Sequence, residues 1–69
     1  MQAENDNYPR LLSLNEAAKM TSMSRSMLNR YRMEGKFPQA VPLGERRLAF
    51  VRDEVLEWIK ERIAARAAA

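Results

Sequence analysis

The sequence predicts a mainly α-helical domain with one small β-hairpin, about three helices and a two-stranded wing, and three observations predict it. Apolar residues recur at helical spacing in three separate segments, a stretch of period two interrupts them between residues 40 and 50, and turn-forming residues stand at the joints. Length sets the scale. A chain of 69 residues makes one small domain, and at that size only roughly 60% of the unfolded surface is buried, which leaves little room for a deep substrate cavity.

Taken in order, residues 1–9 lack apolar periodicity, end in Tyr8-Pro9 and read as a disordered arm; the folded domain is expected over 10–66 and a frayed tail over 67–69. Ser13-Leu14-Asn15-Glu16 has the Ser-x-x-Glu spacing of a capping box, in which the Ser13 hydroxyl accepts the third amide and the Glu16 carboxylate accepts the Ser13 amide. A helix is expected from Leu14 to about Met20, burying Leu14, Ala17 and Ala18, until Thr21-Ser22 breaks the pattern. Ser24 is a second N-cap. The helix after it, Arg25 to Met33, turns Leu28 and Tyr31 inward and stops at Gly35, which suits a left-handed position, with Pro38 preventing continuation. Two short helices in this arrangement form a helix-turn-helix pattern.

Val41 and Leu43 on one side of Gly44-Glu45, and Leu48 and Phe50 on the other, read as a hairpin with its apolar residues turned inward. Gly44 is expected to supply a positive φ at the reversal, and Pro42 confines the first strand to an edge. Arg46 then stands at the tip and Arg47 on the open face, so the segment 41–50 is a wing. From Arg52 to about Arg66 the period is helical again: Val55, Leu56, Trp58, Ile59 and Ile63 share a face expected to supply most of the core. Asp53 and Glu54 suit the first turn of that helix. The elements together make a winged helix-turn-helix.

Composition narrows the function classes. The chain has no cysteine and no histidine, so the usual zinc ligands and redox pairs are missing, no cofactor is expected, and no catalytic constellation is visible. The polar, acidic start is unlike a signal peptide, and nowhere do about 18 apolar residues run together, so no membrane association and a soluble, cytoplasmic location are expected. The net charge of +3 is unevenly placed. Residues 1–23 hold two cations against three anions, net −1; residues 24–50 hold six against two, net +4; residues 51–69 hold four against four. The excess falls on the second helix and the wing, which points to a polyanion, double-stranded DNA.

A recognition helix sets its N-terminal residues against base edges, where Arg bonds guanine and Asn bonds adenine. Arg25, Ser26, Asn29 and Arg30 are therefore the expected base readers. Thr21, Ser24, Lys36, Arg46 and Arg47 are expected on the sugar-phosphate backbone or in the minor groove. Met20 and Met23 are expected to fill the core and Met27 to stand on the more exposed face; Trp58 is expected in the core rather than as a stacking platform, and Glu57 and Glu61 on a solvated face.

Five segments in order, Leu12 to Ala18, Ser24 to Arg30, Gly35 to Pro38, Leu43 to Phe50 and Glu54 to Ile59, resemble the AlpA family of prophage and mobile-element regulators, related to phage excisionases and to the MerR-type winged-helix head. The resemblance implies a bacterial DNA-binding transcriptional regulator of an integrated element, or alternatively an excisionase that bends DNA for an integrase during recombination. Three positions depart from the family pattern: Ser22 where glycine is common, and Asn29 and Arg32 where aromatic and aliphatic residues are common. A single module this small buries only about 600–1,000 Å2 of protein surface on DNA, so further copies on adjacent sites are expected. A different class of function, a protein-interaction adaptor docking through the third helix and the alanine-rich tail, predicts that Arg25 and Arg46 are dispensable.

Overall fold

The computed structural model describes the backbone of residues 10–68 and the side chains of 10–66; the expected arm over 1–9, and Ala69, lie outside the described residues. The order is β1 (Leu11–Ser13), α1 (Leu14–Thr21), α2 (Arg25–Met33), β2 (Val41–Pro42), β3 (Leu48–Val51) and α3 (Arg52–Ala68). This is a winged helix-turn-helix with one strand more than the sequence pattern predicts. The sheet order is β1-β3-β2, both pairs antiparallel, with Leu12 opposite Phe50 and Val41 opposite Ala49. Three residues are too few to display a period, so β1 is invisible until β3 supplies its ladder. The Arg52 amide donates to the Arg10 carbonyl at 2.8 Å, closing the open end of that pair.

Both caps of the helix-turn-helix form. The Ser13 hydroxyl accepts from the Glu16 amide at 3.1 Å while Glu16 Oε1 accepts from the Ser13 amide at 2.7 Å. The Ser24 hydroxyl accepts from the Met27 amide at 3.1 Å. Both helices end in a Schellman motif. At the end of α2 the Lys36 amide donates to the Tyr31 carbonyl (2.8 Å) and the Gly35 amide to that of Arg32 (3.1 Å), with Gly35 at φ 75°. At the end of α1 the Met23 and Ser22 amides donate to the Ala18 and Lys19 carbonyls (3.1 and 3.3 Å), and here the left-handed residue is Ser22, φ 59°. A non-glycine residue in that conformation costs about 1–2 kcal/mol. Ser22→Gly is therefore expected to stabilise the domain by about 1 kcal/mol, raising the melting midpoint by roughly 4–8 °C in a circular-dichroism melt; a lowered midpoint would show that the serine side chain stabilises the turn.

The core draws on every layer: Leu12, Ala17, Ala18, Leu28, Phe37, Ala49, Phe50 and Val55 are buried. Leu14, Met20, Met23, Tyr31, Trp58 and Ile59 pack half-buried around them. Tyr31, Trp58, Phe37 and Phe50 form a chain of edge-on rings, with centroids 6.4, 4.9 and 5.4 Å apart, that ties α2 to α3 and the sheet. In three respects the packing departs from the sequence pattern. The third helix does not supply most of the core: among the described side chains of α3 only Val55 is fully buried, and Ile63 is 52% exposed because the helix has by then run past the body. Gly44 does not have a positive φ, the wing turning instead through a wider loop that the Leu43 amide closes onto the Arg47 carbonyl at 2.8 Å. Leu43 and Leu48 are exposed rather than inward: β2 is only two residues long, so Leu43 falls in the loop and Leu48 stands at the outer end of β3, opposite Pro42.

Trp58 sits at the margin of the core, its Nε1 donating to the Lys36 carbonyl at 2.8 Å, which fastens the segment after α2 to α3. That bond satisfies the indole N–H while the ring packs against Phe37 and Tyr31.

Candidate nucleic-acid interface

The turn between α1 and α2 brings the N-terminus of α2 against the wing. Arg25, Arg46 and Arg47, all exposed, line one concavity of about 280 Å3 with Ser13, Leu14, Asn15 and Leu48. It continues through Asn15 and Arg25 into a hollow of about 480 Å3 along the α1–α2 turn, lined also by Lys19, Ser22, Met23 and Ser24. From Ser24 it runs onto the outer face of α2, where Ser24, Ser26, Met27 and Arg30 line a third depression. Among the described residues five cations stand along this strip and no acidic side chain lines it. The first turns of α1 and α2 face the same concavity, and helix N-termini add positive potential and unpaired amides.

The individual residues differ in what they can still offer. Ser24 caps α2 through a lone pair, so its hydroxyl proton remains available to a phosphate. Thr21 is half-buried and its hydroxyl donates to the Ala17 carbonyl at 2.9 Å and to that of Ala18 at 3.2 Å, so the expected donation to a backbone phosphate would have to break a bond that helps end α1. Asn29 is half-buried, with Oδ1 accepting from Arg32 Nε and Nη2 at 3.3 and 3.1 Å. Bidentate recognition of adenine needs both amide atoms, and here the acceptor is already engaged. Lys36 stands apart from the strip: its ammonium pairs with Glu34 at 3.3 Å, and it lines a separate groove against α3. Met27 is 41% exposed, beside Ser26 and Arg30.

Asn15 and Lys19, one turn apart on α1, belong to the strip but do not stand out in the sequence. Their i, i+4 spacing on the exposed side of α1 was the available signal. Among the described residues no group of three or more His, Cys, Asp or Glu side chains is arranged to hold a metal ion, and no helix is long and apolar enough to cross a membrane.

The family model described as Prophage CP4-57 regulatory protein (AlpA) matches residues 10–63. No curated protein and no solved structure matches the chain. The matched span runs from the residue before β1, through both capped helices and the wing, into the part of α3 that carries Val55, Trp58 and Ile59. With the helix-turn-helix, the wing and the core all inside that span, the chain belongs to the AlpA family of prophage regulatory proteins.

Proposed function

We propose that this chain is a sequence-specific double-stranded DNA-binding protein that regulates transcription of a prophage or mobile element, with α2 in the major groove and the wing on the flanking backbone or minor groove. One observation carries the reading: Arg25 at the start of α2 and Arg46 and Arg47 of the wing line the same concavity, with no acidic side chain among its described lining residues. A helix N-terminus reading base edges beside a basic loop following the backbone is the geometry by which such modules hold a duplex. Arg25, Ser26 and Arg30 are the base readers, and Asn29 joins them if Arg32 releases its carbonyl. Ser24, Lys19, Arg46 and Arg47 hold the backbone. Lys36 contributes through a flanking phosphate only if it leaves Glu34.

Mobility-shift titration of genomic fragments at several salt concentrations tests the proposal. If all five cations of the strip engage phosphate, log K should fall against log salt with a slope near −4.5, and less steeply by about 0.9 for each that reads a base instead. Equal affinity for every fragment with a flat salt dependence would sink it. The same map separates two uses of the protein: protection across a promoter marks a transcriptional regulator, and a tandem array beside a recombination attachment site marks an excision factor working with an integrase. Further copies on adjacent sites serve either use, because one module buries too little surface to hold DNA tightly alone.

A further inference from the structure

The helix α3 is 17 residues long, about 25 Å at 1.5 Å per residue, yet the body packs only its first half. Val55 is buried and Trp58 and Ile59 half-buried, whereas residues 60–66 are all exposed. Helical spacing carries the inward stripe of Val55 and Ile59 onward as Arg62, Ile63 and Arg66, so an isoleucine 52% exposed lies between two arginines beyond the core. Residues 60–66 hold three cations against Glu61, net +2, and residues 52–57 one cation against three anions, net −2. Complementing the helix dipole explains Asp53 and Glu54 in the first turn and Arg66 in the last. It explains neither Ile63 nor the two glutamates further along.

Those glutamates border a shallow groove of about 620 Å3 between the loop 35–39 and α3. Phe37, Pro38 and Trp58 form its apolar lining, and the exposed Glu54, Glu57 and Glu61 its edge. Lys36 at the loop end is engaged by Glu34 at 3.3 Å. The groove therefore offers apolar contact inside an acidic border, and the end of α3 offers an isoleucine between two arginines. Both stand on one continuous helix, so the end cannot turn back into its own groove.

We propose that copies of this chain associate head to tail, the Arg62-Ile63-Arg66 face of one copy docking into the Phe37-Trp58 groove of the next; the use of this contact on DNA rests on the function proposed above. Such an interface is heterologous, leaving a free groove at one end and a free helix at the other, and so extends along a row. Two turns of helix cover well under the roughly 800 Å2 per partner of a stable interface. The chain is accordingly monomeric in dilute solution, and the contact fills when neighbouring DNA sites raise the local concentration.

Two measurements on the full chain test this. The chain has no cysteine, so Ala65→Cys accepts a single spin label. At millimolar concentration, labelled copies should broaden the amide signals of Phe37 and Gln39 and the indole signal of Trp58 in isotope-labelled copies. Arg62→Glu in the spin-labelled copy should abolish the broadening, and Glu57→Arg in the receiving copy should restore it. Absent broadening, or broadening that ignores both reversals, overturns the contact. On DNA carrying two adjacent sites the wild type should bind several-fold more tightly than two independent sites predict. Glu57→Arg and Arg62→Glu should each remove that gain, and the double variant should recover it, with single-site affinity unchanged throughout. Broadening without any gain on DNA overturns the use there. Loss of all single-site binding while the broadening persists is instead the failure of the DNA-binding reading.

Discussion

Phe50→Ala is expected to leave the chain largely unfolded at room temperature. Phe50 is fully buried, sits on the central strand β3 opposite Leu12, and meets the Phe37 ring edge-on at 5.4 Å. Phenylalanine-to-alanine changes in cores cost about 3–5 kcal/mol, and a domain this small rarely holds more than about 3–5 kcal/mol in total. The cavity would open between the sheet, the 35–39 loop and α3, beside Phe37, whose ring already packs against Trp58 and would have to leave that contact to fill it. Urea titration followed by far-ultraviolet circular dichroism reads the result. Ile63→Ala is the matched control: at 52% exposure it should shift stability by no more than about 0.5 kcal/mol. If the isoleucine proved the costlier loss, the third helix would after all carry the core, as the apolar pattern alone suggests.

Arg25→Ala is expected to weaken binding to the preferred DNA site by about 1–3 kcal/mol, roughly five- to 150-fold, and to relax preference at one base position. The effect on random DNA should be much smaller. The paired variant Arg46→Ala with Arg47→Ala should act in the opposite manner, weakening all sequences alike and making the salt slope shallower by about 1.8, two counterion equivalents. This contrast is what separates a base reader from a backbone contact, although the three arginines line one concavity. A uniform loss from Arg25→Ala would assign that residue to phosphate. Full function in both variants would favour an adaptor that docks through α3.

Local chemistry made much of this fold legible in the sequence. Capping is a matter of a hydroxyl or carboxylate within three residues of an amide, so Ser13, Glu16 and Ser24 declare the starts of α1 and α2 without help from the rest of the chain. The left-handed stop at Gly35 is equally local. The arginines of α2 and the wing were legible for a related reason: a charge has a position in the sequence whatever the packing, and its excess between residues 24 and 50 survives folding. Resemblance to the AlpA family rested on the order of such segments, and the family match over residues 10–63 bears it out.

The tertiary structure decided what depends on residues far apart in the chain. The strand β1 exists because β3 offers it a partner nearly 40 residues away. Phe37, in a loop without periodicity, became a core residue because Phe50 and Trp58 converge on it. Ile63 lost its place in the core because a helix obeys its own period while the body beneath it ends. Asn29 and Thr21, polar residues that looked free, found acceptors and donors inside the protein. The sequence alone determined where helices begin and stop and where the positive charge lies, since those follow from neighbours a few residues apart. Which apolar residues are buried, and which polar atoms remain free at the surface, was decided only when the sheet, the helices and the 35–39 loop closed on one another, because burial and hydrogen bonding are settled by proximity in space.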